Sequence, residues 1–185
     1  MMVGCYQEMH LNDFCVTPQH LRFFETFGFL KFPGLFDVEV KDIEAAFEDV
    51  WVNSGKEHDH EERSLINQFA ERNEYLSGLL DDSRVHGIVS AILGDDYNFS
   101  GSDGNYYVGD TPWHSDQLQK APNQSVKIAF YLDTVTRDTG CLRVIPGSNH
   151  PGDNFAGLLD DVVPLSRQNR NEEVWGVHGS EIPAY

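Results

Sequence analysis

Near Gly94 the apolar pattern of this chain changes period, and that change limits what it can fold into. Upstream, Leu21, Phe24 and Phe27 recur at helical spacing, as do Val40, Ile43, Ala46, Phe47 and Val50. Downstream, helical spacing gives way to short runs rich in β-branched and aromatic residues: YNFSGSDGNYYV, SVKIAFYLD and CLRVIP, separated by turn residues. Helices first and strands later make an α+β arrangement, with helices packed on one face of a small barrel or sandwich. We expect one domain over residues 1–185, helical over about 1–95 and β over about 96–185. There is no internal repeat or low-complexity linker.

Local signals place the elements. Thr17-Pro18 is a capping hydroxyl followed by proline at the first helical position, and Gly28 is a stop. FLKFPGLF (29–36) alternates and breaks at Pro33-Gly34, which predicts a short strand and a turn. Asp37 is positioned to cap a second helix. From Asn53 to Asn73 the sequence is strongly charged, with KEHDHEER at 56–63, and reads as an exposed loop. A third helix is expected over Asp82 to Leu93, ending at Gly94.

The balance of 13 basic against 30 acidic residues, a formal charge of −17, argues against binding nucleic acid or an anionic membrane surface, since phosphates would be repelled. Cys5, Cys15 and Cys141 are odd in number and lack zinc-type spacing, which reads as reduced thiols. No apolar run approaches the roughly 20 residues that span a bilayer. MMVGCYQEMHLNDF lacks the order of a signal peptide, so a cytoplasmic location is expected.

The chemistry centres on TPWHSDQ, residues 111–117. On an extended backbone, residues i and i+2 share a face, so His114 and Asp116 can present an imidazole and a carboxylate to one cation. Non-haem iron(II) oxygenases use that pairing with a second histidine and leave the opposite positions open. Spacing alone does not decide the matter, because a His and an Asp in a turn also hydrogen-bond to each other. His60-Glu61-Glu62 has the same spacing, with His58 close by, yet lacks β-like flanks and an apolar shell, and reads as a solvated stretch.

What separates the two is context. W-H-S-D, a following strand ending Y-L-D, and then D-T-G-C-L-R-V-I-P-G-S-N-H together resemble the phytanoyl-CoA dioxygenase family of iron(II)- and 2-oxoglutarate-dependent oxygenases. G-F-L-K-F-P-G-L-F and A-I-L-G-D-D-Y in the first half agree with it, so the resemblance runs from about Thr17 onward. It implies a double-stranded β-helix, a cupin-like jelly-roll core with the N-terminal helices packed outside. It also implies Fe(II) and 2-oxoglutarate as cofactors, with O2 and a small organic molecule as substrates. His114 and Asp116 would be iron ligands, joined by a histidine on a late core strand, with an arginine beyond it for the 2-oxoglutarate carboxylate. Asn105, Tyr106 and Trp113 are candidates for the cofactor pocket, since the family places polar and aromatic side chains there.

Two histidines follow Asp116: His150, in a P-G-S-N turn, and His178, followed by Gly-Ser. His178 is the candidate third ligand within the chain, although a surface loop also accounts for it. G-S-E-I-P-A-Y reads as the lead-in to the strand that carries the third ligand in the family. The last core strands are therefore expected to lie beyond Tyr185, and an unpaired sheet edge would favour self-association. The competing reading is a non-catalytic jelly-roll, cupin-like binding protein with a vestigial metal site. Substrate choice is expected to lie in residues 53–78 and 151–175, which bear no recognisable signature.

Overall fold

A computed structural model describes residues 14–109, 124–136 and 139–150, together with the backbone of 173–174 and 177–178. Helix α1 spans Pro18–Phe27. Thr17 caps it by accepting from the His20 amide at 3.2 Å, and His20 Nδ1 reaches back to the Thr17 amide at 3.3 Å. This is a capping box with histidine where Glu or Gln is usual. Gly28 closes the helix in the left-handed region (φ 81°) and donates to Phe24 O. That position also sits so close to Asn149 that a Cβ would lie 2.5 Å from its Oδ1. The turn at residues 146–150 is thus docked on the end of α1: the Gly147 amide donates to Phe27 O at 3.0 Å and His150 Nε2 to Thr26 O at 3.1 Å.

The strand expected within residues 29–36 is not formed. Phe29 packs on Phe23 and Phe32 on Phe14 and His20, so these aromatic rings go to α1 and its approach, and turns follow over residues 33–39. Helix α2 spans Val40–Ser54, and its N-cap is Glu39 rather than Asp37. Glu39 makes no capping bond because its carboxylate is held by Arg84 at 2.9 Å. Ile43, Ala46, Val50 and Trp51 are the buried stripe of α2, at the i, i+3, i+7, i+8 spacing of one helix face.

The charged stretch after α2 hides a strand. β1 (Ser64–Asn67) pairs antiparallel with β2 (Asp103–Tyr106) in the register Ser64↔Tyr106, Leu65↔Asn105, Ile66↔Gly104, Asn67↔Asp103. Between them run short α3 (Glu74–Gly78) and α4 (Ser83–Leu93), the latter capped by Asp82 and ended at Gly94 as its sequence predicts. Ile66, Phe69 and Leu76 join the α2 stripe in one core, onto which Phe47, Tyr106 and Leu132 pack. Each larger side chain buried there contributes about 1.5–3 kcal/mol. The expectation of an exposed loop over residues 53–73 is thereby corrected, because its apolar residues carry part of the core.

Residues 125–133 and 141–146 form no strand ladder among the described residues. Phe130 nonetheless meets Phe36 at 5.1 Å, though it is itself exposed, and Leu132 packs on the core. β3 (Glu173–Val174) and β4 (Val177–His178) make a second antiparallel pair, Glu173↔His178 and Val174↔Val177. The described chain therefore mixes four α-helices with two separate two-stranded sheets.

Candidate functional site

Strand β2 leads directly into the segment with the H-x-D motif, so its two faces decide which side chains surround that approach. Cross-strand partners share a face and neighbours along a strand do not. Ser64, Ile66, Gly104 and Tyr106 consequently point to α2, while Leu65, Asn67, Asp103 and Asn105 point away. Asn105 and Tyr106, both candidates for the cofactor pocket, are therefore separated onto opposite faces of the ribbon.

Tyr106 is held on three sides. Its ring meets Phe47 edge-on at 5.2 Å and Trp51 at 4.9 Å, and the His58 imidazole stacks on it at 4.6 Å with planes 13° apart. Its hydroxyl donates to Glu48 on α2. Burial first, and then the Glu48 carboxylate, push the phenol well above its ordinary value, so it stays protonated. His58 also hydrogen-bonds Ser64 Oγ through Nδ1 at 2.8 Å, and His60, at φ 63°, sets its ring on His58 at 4.5 Å. Within the histidine-rich stretch only His58 is half-buried, where it packs on Tyr106; the rest of residues 56–63 is exposed loop, as its charges suggested. Asp59 ties the turn by accepting from the Glu61 and Glu62 amides, which lowers its carboxyl below the usual range.

On the outer face, Arg63 donates to Asn105 Oδ1 through Nε at 2.9 Å and Nη2 at 2.6 Å, and its guanidinium lies 4.4 Å over the Tyr107 ring. Asn105 Nδ2 donates in turn to Asp103. Sequence reasoning passed over Arg63 because it lies within KEHDHEER; the signal available was its position just before the apolar pair Leu65-Ile66. On the far side of the core, Arg84 bridges Asp82 and Glu39, donates to Leu35 O at 2.8 Å and covers the Phe36 ring at 3.8 Å. Hydrogen bonds from Arg84 hold both carboxyls below their ordinary values.

Trp113, His114 and Asp116 lie outside the described residues. The backbone of His178 lies on β4, opposite Glu173. Among the described residues no three His, Cys, Asp or Glu side chains converge to hold a metal ion. None of the described helices is long and apolar enough to cross a membrane.

The chain is similar to L-proline trans-4-hydroxylase of Streptomyces griseoviridis, 38% identical over 68 residues, or 37% of this chain and 22% of that protein. The chain thus matches only about a fifth of that relative's length. No solved structure matches. A family match covers far more: the description phytanoyl-CoA dioxygenase (PhyH) fits residues 24–172, from α1 through the core, β2 and the H-x-D motif to the edge of β3. Since that match spans most of the sequence, the chain belongs to the phytanoyl-CoA dioxygenase family.

Proposed function

We propose that the chain is an Fe(II)- and 2-oxoglutarate-dependent dioxygenase that hydroxylates a small organic substrate, built on a double-stranded β-helix core over a single domain. The observation that carries this reading is the family match across residues 24–172, which includes W-H-S-D at 113–116. Family membership supports the dioxygenase class, and members generally depend on both cofactors. The relative's name, a proline hydroxylase, is consistent with hydroxylation of a small molecule.

The donor set fits iron(II): an imidazole and a carboxylate two positions apart, completed by a second imidazole, form the facial triad that this metal takes. His114 and Asp116 would supply the first two donors and His178, at its strand position, the third. When bound, iron and 2-oxoglutarate supply the oxidising chemistry, in which decarboxylation of the 2-oxo acid by O2 is coupled to hydroxylation of a substrate C–H bond. The chain's own work is to orient and to exclude water. Trp113, beside the first ligand, would wall the pocket. Tyr106 fixes β2 to α2 through Glu48 and the Phe47–Trp51 rings, so the strand entering the motif starts from a rigid base.

The test is anaerobic addition of Fe(II) and 2-oxoglutarate, followed by visible absorption. A charge-transfer band in the wild type that is lost in His114→Ala supports the reading, and His178→Ala then examines the third ligand. Absence of a band in folded protein favours a non-catalytic binding protein.

A further inference from the structure

Arg63 is the one described cation that three consecutive positions on a strand face combine to hold. Extending the β1–β2 register by one pair sets Arg63 opposite Tyr107, on the outer face with Asp103 and Asn105. Asp103 takes the Asn105 amide hydrogen, which turns Asn105 Oδ1 toward Arg63. That oxygen accepts from Nε and Nη2, and the Tyr107 ring supports the guanidinium plane. The fork is thereby set in orientation by a neutral acceptor and a π face. Among the described residues no carboxylate lies within ion-pair distance of it.

Arg84 supplies the contrast: it is bracketed by two carboxylates, Asp82 at 2.8 Å and Glu39 at 2.9 Å, and acts as a structural pin. In a chain with 30 acidic and 13 basic residues, a guanidinium held in place with no described carboxylate beside it is an arrangement for an anion from outside. Nη1 and the second Nη2 hydrogen are not committed within the described residues. A planar fork of that kind matches a carboxylate in bidentate fashion, and Tyr107, largely exposed, offers an apolar surface to the carbon skeleton attached to it. The site also lies close in sequence to the metal motif. Tyr107 and His114 are seven positions apart, a reach of at most about 25 Å for extended chain.

We propose that Arg63, oriented by Asn105 and Tyr107, recognises the carboxylate of the substrate, which makes the substrate a small organic acid. This rests on the dioxygenase reading above, and the experiment separates the two. In metal-free protein, the Arg63 Nε–Hε cross-peak is followed by NMR during titration with L-proline, L-leucine and hexanoate, each beside its amide, and with 2-oxoglutarate and inorganic phosphate. Saturable shifts with at least one of the three acids, absent with its amide, are expected, and the affinity for that acid measured by calorimetry should fall at least about tenfold in Arg63→Gln. Arg63→Lys should recover binding only in part, since it keeps the charge and loses the fork.

The proposal is overturned if none of the three acids moves the cross-peak, if amides act as well as acids, or if 2-oxoglutarate or phosphate alone saturates the site. In the iron-loaded protein, Arg63→Gln should leave the 2-oxoglutarate concentration needed for the charge-transfer band unchanged. An increase in that concentration would assign Arg63 to the cosubstrate and sink the proposal. A missing band in the wild type would defeat the dioxygenase reading, while the metal-free titration would still judge Arg63.

Discussion

Gly104 is the position where adding one carbon should cost the fold most. It faces Ile66 across the ribbon, and a Cβ built on it would fall 2.2 Å from Phe69 Cδ2 and 2.4 Å from two further ring atoms. Phe69 cannot step aside. It is 4% exposed, meets Phe47 at 4.9 Å and Trp51 at 6.5 Å, and belongs to the cluster that joins α2 to β1. Forcing a methyl into such packing costs about 1–3 kcal/mol, against a gain of about 0.4–1 kcal/mol from the less flexible unfolded chain. The contact distances place the cost toward the upper end, for a net loss of about 2 kcal/mol. For a chain of this size that corresponds to a fall in Tm of roughly 4–8 °C. The assay is thermal unfolding of Gly104→Ala, Phe69→Leu and the double variant. Phe69→Leu alone leaves a gap and destabilises, but it also makes room, so the double variant should be more stable than the sum of the single changes by about 0.5–3 kcal/mol. An unchanged or raised Tm for Gly104→Ala, or strict additivity in the cycle, would refute the close approach of β2 to Phe69.

Other consequences follow from the charged and polar anchors. Arg84→Gln should lower Tm at neutral pH and flatten its acid dependence. Glu39 and Asp82 are held below their ordinary values of 4.5 and 3.8, so their contribution is full above those values and is lost as pH falls through the depressed ones. The gap in Tm between the wild type and the variant should therefore narrow below about pH 4, and a gap that stays constant would count against the bridge. Tyr106 has the opposite sign: its folded value is raised above the usual 10.0, so its contribution is present below that value and is lost as pH climbs toward the folded one. Tyr106→Phe should cost about 0.5–1.5 kcal/mol near neutral pH and remove part of the alkaline loss of stability, read from denaturant midpoints across pH.

Some of this was written in short segments of chain. The cap at Thr17, the start of α4 at Asp82 and its stop at Gly94 depend on bonds that close within three or four residues, and their signals survive in any context. The motif at residues 113–116 and TGCLRVIPGS likewise identify the family without reference to the fold. The Gly-Ser-Asn-His turn was legible as a turn, but not its task of closing the end of α1 through Gly147, Asn149 and His150.

The sequence by itself determined the helical character of α1, α2 and α4, the ends of α1 and α4, and membership in the phytanoyl-CoA dioxygenase family through its motif. Tertiary structure alone decided that Ser64–Asn67 is a strand, because its partner lies some forty residues away and its charged flank conceals the pattern. Tertiary structure also turned Tyr106, rather than Asn105, toward α2, and turned Phe29 and Phe32 to helix α1 instead of a sheet. It gave Arg84 two carboxylates and Arg63 an amide and a ring. The physical reason is common to all four. Caps and turns are satisfied by neighbours in the chain, whereas a strand, a packed ring or a held guanidinium is defined by atoms that only folding brings near.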